Sequence, residues 1–206
     1  MTAGMNPRPG NTQVFDPLLR LLHWGLALCV VLLIATSQLA EVFEHGVAED
    51  TMWSLHILSG YGLALTLLAR VLWGLVGPAS ARWRDLWHPA VWHHALLDRR
   101  LPRTHRIGHD ALASLAYLLA YGIMVLMILT GLVLAASEFN AGPLAGWPAD
   151  MTTLADWLED PHEFGFGLML GYVGLHLAAL VFHQSRGERV AQSMISGRQY
   201  PRTPHD

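Results

Sequence analysis

Four histidines of this 206-residue chain lie within or at the edges of long apolar runs: His23, His56, His162 and His176. Ionisable side chains are rare in such surroundings and usually have a function there. Neutral imidazole is a good ligand for iron and other transition metals, and it can also serve as a hydrogen-bonding packing group. The spacing of the four residues distinguishes between these two roles.

Two of these histidines, His162 and His176, are 14 residues apart in the sequence. In a helix, 14 residues rise by about 21 Å and turn through about 1,400°, roughly 40° short of four full turns. Both imidazoles therefore project from nearly the same helix face, at two depths. If both histidines are ligands, neighbouring helices should carry partner histidines at the same two depths.

Four apolar runs could supply these neighbouring helices, at about residues 18–40, 52–76, 111–136 and 164–183. Each is long enough to cross a hydrocarbon core of about 30 Å as a helix, and lipid offers no partners for open backbone structures. Only 14% of the residues are charged, against about 25% in soluble domains. We predict an all-α membrane protein, one four-helix transmembrane domain over residues 1–206.

The charged residues separate by side of the membrane. Acidic residues and no arginine occupy the segments after the first and third runs, namely Glu41, Glu44, Glu49, Asp50, Glu138, Asp150, Asp156, Glu159, Asp160 and Glu163. Arginines gather before the first run, between the second and third runs and in the C-terminal tail, and the positive-inside rule makes these parts cytoplasmic. The middle loop, 77–110, also carries tryptophans that suit contact with membrane lipid.

In this orientation the four histidines form two pairs at two depths. His23 and His176 lie toward the cytoplasmic side, and His56 and His162 lie toward the outer side. Two such pairs inside a four-helix bundle are what two bis-histidine b-type haems require. We therefore predict an inner haem b on His23 and His176 and an outer haem b on His56 and His162.

Several neighbouring residues leave alternatives open. His183 follows His176 by seven residues on a similar face and could replace it as the inner ligand. Arg20 and Arg70 could bind haem propionates by bidentate hydrogen bonds, or they could extend to lipid phosphates. In the outer segment 137–161, a separate short helix is expected near residues 150–158, started by Asp150.

Composition excludes other chemistries. The chain has no lysine, which excludes Schiff-base and P-loop chemistry that needs this residue. Its single cysteine, Cys29, excludes an internal disulfide, a zinc–cysteine cluster and covalent attachment of a c-type haem. A net charge of −3 gives no basic footprint for nucleic acid.

Sequence motifs around these histidines also form a family pattern. They are Phe15-Asp16-Pro17 with Arg20 and His23-Trp24, His56 with Ser59-Gly60-Tyr61, Arg70 with Trp73-Gly74, His109 with Thr130-Gly131, His162-Glu163, Leu175-His176, and a tail from Ser193 to Arg198. The pattern covers about residues 15–198 and resembles bacterial cytochrome b561 and the b-type cytochrome subunits of nickel-iron hydrogenases. The resemblance implies a four-helix cytochrome with two b haems and the same ligand pairs.

Bis-histidine haem iron has no open coordination position, so such haems carry electrons rather than bind oxygen. We expect a protein of the bacterial inner membrane that transfers electrons between the quinone pool and a periplasmic redox protein, either a c-type cytochrome or a dehydrogenase. Quinone reduction takes up protons, and the titratable groups at the inner helix ends are His109, Asp110 and His183. These three residues are candidates for a quinone site, or they only mark the membrane interface.

Three other functions remain open. The chain could be the membrane anchor cytochrome of a nickel-iron hydrogenase, which the resemblance favours. It could be a superoxide:quinone oxidoreductase, although the acidic outer segments would repel that anion. It could also be a haem-free anchor or transporter, which an absorption spectrum would reveal.

Overall fold

The computed structural model describes residues 12–13, 15–43, 45–86, 93, 111–146 and 151–199. Four long helices dominate these residues: α1 (Pro17–Phe43), α2 (Val47–Val76), α3 (Ala111–Phe139) and α4 (Met151–Ser185). Two 3-10 turns, Ala79–Ala81 and Trp83–Leu86, follow α2. A short helix α5 (Val190–Ser196) precedes strand β2 (Arg198–Gln199), which pairs antiparallel with β1 (Thr12–Gln13).

All four long helices are long and apolar enough to span a membrane. The mean hydropathy of their most apolar windows lies between 1.5 and 2.5, and at most 33% of any such window is buried inside the protein. The apolar side chains that remain exposed, such as Leu21, Leu65 and Val181, are therefore available to lipid. The predicted all-α, four-span membrane fold is confirmed.

The outer part of α4 differs from the prediction. A short helix near residues 150–158 and a separate span from residue 164 were expected, but α4 is continuous from Met151 to Ser185 and contains Pro161. Proline is tolerated in membrane helices because neighbouring groups and local adjustments satisfy the carbonyl that it leaves free. His162 consequently lies 11 residues into the helix, where helical backbone on both sides fixes its direction.

The described residues form two compact units. The larger unit contains the described parts of Leu22–Leu72 and Leu115–Val173. Its core is built from the inward faces of all four long helices, with Leu26, Leu63, Leu67, Ile123 and Met169 almost fully buried. This core positions the outer histidine pair.

The smaller unit contains the described parts of Met1–Leu21, Trp73–Ser114 and Gly174–Asp206. Asp16 organises it, because its Oδ1 accepts hydrogen bonds from the Leu19 backbone N at 2.9 Å and from Trp73 Nε1 at 3.1 Å. Such an N-terminal cap typically contributes about 0.5–2 kcal/mol. The backbone N of Phe15 donates to the Gly197 carbonyl at 3.1 Å. The motif residues at both ends of the chain thus meet in one structural cluster.

Candidate haem site

His56 of α2 and His162 of α4 line one cavity in the larger unit. The walls are mainly apolar and come from all four long helices, with Leu33, Gly60, Met127, Gly131 and Phe166 among them. Among the described lining residues, the polar side chains are those of His56, Tyr61 and His162. The sequence prediction that His56 and His162 meet is consistent with this shared cavity.

The imidazole of His162 packs against α3. Its Nδ1 lies 2.7 Å from the hydroxyl oxygen of Thr130. A Cβ atom on Gly131 would lie only 3.2 Å from His162 Cε1. Gly131 therefore provides the space that the ring occupies, and Thr130 holds one of its nitrogens.

The imidazole of His56 is seated against α1. Its Nδ1 lies 3.1 Å from the Leu33 carbonyl oxygen and 3.3 Å from the Thr36 hydroxyl oxygen. The indole of Trp53 contacts the ring edge-on, with centroids 5.7 Å apart. In both histidines, Nδ1 is thus engaged by protein, and Nε2 is the nitrogen left for a ligand bond.

A bis-histidine haem fits the residues of this cavity. Two imidazoles face a mainly apolar space, as a flat apolar macrocycle with an iron at its centre requires. The Tyr61 hydroxyl is buried and has no hydrogen-bond partner within the part of the chain that the structure describes. Buried hydroxyl groups are usually paired, and a haem propionate would supply an acceptor. The donor set and the cavity wall agree with the cofactor.

The two inner histidines belong to different compact units. His23 is partly buried in the larger unit, and its ring meets that of Trp24 edge-on at 5.6 Å between centroids. His176 lies in the smaller unit and is exposed. His183, in the last turn of α4, has its Nδ1 2.6 Å from Glu188 Oε2. The pairing of His23 with His176 stays a prediction.

The two arginines have different surroundings. Arg70 is only 2% exposed, and its guanidinium carbon lies 5.8 Å from the centroid of the Tyr121 ring. Arg20 instead donates a hydrogen bond from Nη1 to the Ile195 carbonyl in the smaller unit. The quinone candidates His109 and Asp110 lie outside the described residues.

No role for Thr36, Tyr61 or Thr130 follows from the sequence patterns alone. Tyr61 and Thr130 belong to the motifs that define the family resemblance, and Thr36 is a polar residue inside an apolar run. A hydroxyl group inside an apolar run indicates a possible role, since a buried hydroxyl in a membrane span needs a hydrogen-bond partner. Identifying the partner required the three-dimensional arrangement of α1 to α4.

Known proteins share this sequence pattern along nearly the whole chain. Residues 14–197 match the sequence profile of prokaryotic cytochrome b561. A probable Ni/Fe-hydrogenase B-type cytochrome subunit of Azotobacter chroococcum mcd 1 is 29% identical over 89% of this chain and 84% of its own length. Its counterpart in Azotobacter vinelandii is 27% identical, with 80% and 78% covered. A probable Ni/Fe-hydrogenase 1 B-type cytochrome subunit of Escherichia coli K12 is 27% identical over 59% of each chain.

Four membrane-spanning helices, a histidine-lined apolar cavity and a profile match over residues 14–197 agree with one another. The chain belongs to the prokaryotic cytochrome b561 family and is a multi-pass b-type cytochrome of the bacterial inner membrane that takes part in electron transfer.

Proposed function

We propose that this protein carries electrons across the inner membrane through two bis-histidine haems b, between a periplasmic redox protein and the quinone pool. The observation that carries the proposal is the apolar cavity lined by His56 and His162. Two imidazoles leave haem iron without an open position, so the cofactor supplies one-electron exchange rather than oxygen chemistry.

The chain's own residues hold the cofactors in this proposal. His56 and His162 bind the outer haem through Nε2, since their Nδ1 atoms are engaged by α1 and α3. His23 and His176 bind the inner haem. Arg70 is the stronger candidate for an inner propionate, because its guanidinium is buried in the helix bundle, whereas Arg20 already donates to a backbone carbonyl.

The distribution of charged residues indicates which surface a periplasmic redox protein would bind. By the positive-inside rule the arginine-rich segments favour cytoplasmic termini, and in this proposal the loops after α1 and α3 face the periplasm. Those loops carry acids without arginine, and electrostatic complementarity favours a partner with a basic docking face. The same acidic surface disfavours superoxide as a substrate, because it would repel that anion.

A second candidate function is the membrane cytochrome subunit of a nickel-iron hydrogenase. The names of the relatives from both Azotobacter species favour it. In that case the periplasmic electron donor is a hydrogenase, and hydrogen should reduce both haems in native membranes. A c-type cytochrome as the partner would leave the haems oxidised under hydrogen.

The quinone end of the path is proposed at the cytoplasmic ends of α3 and α4. His183 and Glu188 form a close pair there, and the His183 side chain is 42% exposed. A histidine in this position can donate a hydrogen bond to a quinone carbonyl. His109 and Asp110 remain sequence-based candidates for the same region.

Replacing His183 with alanine is expected to slow quinone-linked reoxidation of the haems by about 100-fold, because a positioned proton donor is lost. Stopped-flow reoxidation by a quinone analogue in membrane vesicles measures this rate, and both haems should be retained. His45→Ala is the matched control, since His45 is an exposed histidine between α1 and α2. Unchanged rates in both His183→Ala and His109→Ala would contradict a quinone site at the inner end.

A further inference from the structure

We infer that Thr36 and Thr130 are positioning residues that fix the tautomers of His56 and His162 and set how strongly these imidazoles bind haem iron. The inference rests on the proposed outer haem and goes beyond the ligand assignment. Both threonines are buried, with 6% and 3% exposure. Each contacts one ligand histidine from a neighbouring helix.

The hydroxyl proton of each threonine is already committed to its own helix. Thr130 Oγ1 donates to the Leu126 carbonyl at 2.8 Å. Thr36 Oγ1 donates to the Leu32 carbonyl at 2.7 Å. A hydroxyl group has one proton to donate, so toward each imidazole the threonine oxygen can act only as an acceptor.

The histidine must therefore supply the proton of the Thr–His contact. In His162 the donor is Nδ1–H, which lies 2.7 Å from the Thr130 oxygen. In His56 a second group supports the same assignment, because the Leu33 carbonyl 3.1 Å from Nδ1 can only accept. With Nδ1 protonated, Nε2 of each neutral ring carries the lone pair that binds iron.

An acceptor on Nδ1–H also changes the chemistry of the ring. It increases the basicity of the opposite nitrogen, and a more basic ligand favours ferric over ferrous iron. The two threonines should therefore lower the reduction potential of the outer haem. The protein sets this potential from α1 and α3, with groups that do not touch the iron.

The two Thr–His contacts differ in length, so the two threonines should differ in their effect on the outer haem. Thr130 is the hydrogen-bond partner of His162 Nδ1 among the described residues, at 2.7 Å. Thr36 is at 3.3 Å and shares His56 Nδ1 with the closer Leu33 carbonyl. Loss of the Thr130 hydroxyl leaves a buried N–H without its acceptor, whereas loss of the Thr36 hydroxyl leaves the Leu33 carbonyl in place.

Valine has nearly the shape of threonine without the hydroxyl, so Thr130→Val and Thr36→Val are the test variants, with Thr130→Ser and Thr36→Ser as rescue variants. Redox titration of the purified holoprotein is the readout, with the inner haem as an internal reference. Thr130→Val is expected to raise the ferrous-to-ferric ratio of the outer haem up to tenfold at a fixed potential, about 59 mV for one electron. Thr36→Val should change this ratio less. Thr130→Ser and Thr36→Ser should each restore the wild-type ratio.

A second measurement needs no variant and covers the case in which Thr130→Val fails to accumulate. Hyperfine spectroscopy of the ferric wild-type protein, in H₂O and in D₂O, should detect an exchangeable proton on Nδ1 of both outer imidazoles. Absence of that proton would overturn the tautomer assignment. An unchanged potential in Thr130→Val would overturn the tuning role.

These outcomes are distinct from failure of the proposed function. If the wild-type protein binds no haem at His56 and His162, the functional proposal fails. If the wild-type protein binds the haem and the threonine variants behave as it does, only the positioning role fails.

Discussion

Replacing His162 with alanine is expected to remove one b haem completely and to leave the other in place. In the proposed site His162 would bind the iron from inside α4, and His56 is the other histidine among the described residues that line the cavity. Alanine would then leave the iron with a single histidine ligand. Pyridine haemochromogen analysis should give half the wild-type haem per chain, and the reduced-minus-oxidised spectrum should lose one α-band component.

His56→Ala should produce the same spectrum as His162→Ala, because we propose that both residues bind one haem. His45→Ala is the control for loss of a histidine outside the cavity and should retain the wild-type haem content. A His162→Ala protein that keeps both haems, or a His56→Ala protein that loses the other haem, would contradict the pairing.

The second large effect is expected from alanine substitutions of the inner histidines, His23 and His176. His176→Ala and His23→Ala should each remove the inner haem, whereas His183→Ala should retain it. His176 is the expected inner ligand, since His183 lies in the last turn of α4 and its Nδ1 lies 2.6 Å from Glu188 Oε2. The same haem quantification, with the low-spin ferric signals resolved by electron paramagnetic resonance, distinguishes the two haems.

Retention of the inner haem in His176→Ala, together with its loss in His183→Ala, would reverse the assignment. That result would place the inner haem two helical turns closer to the cytoplasm. The carboxylate of Glu188 would then act on an axial ligand. His183→Gln offers a polar variant of similar size, should the alanine variant fold poorly.

The four spans were predictable because apolar runs of this length have few stable alternatives in a membrane. Helix ends were less predictable. The acidic stretch before Pro161 shows no apolar pattern, yet it continues α4 to Met151, since proline interrupts hydrogen bonding without always ending a membrane helix. Pairing of β1 with β2 joins residues nearly 190 positions apart, which no local pattern indicates.

The candidate site was also only partly predictable from the sequence. The spacing of His162 and His176 and the depth of His56 follow from helix geometry, and the structure places His56 and His162 on one cavity. The groups that hold them, Thr36 and Thr130, depend on the rotation of α1 and α3 about their axes. A single sequence carries no measure of that rotation when the hydrophobic face is nearly uniform, as it is in α3.

Haem stoichiometry of the purified protein tests whether this chain binds two bis-histidine b haems. Pyridine haemochromogen analysis against amino-acid quantification should give about two non-covalent b-type haems per chain, and ferric spectra should show low-spin iron in both. A colourless protein, or one haem per chain with the His162→Ala variant unchanged, would contradict it.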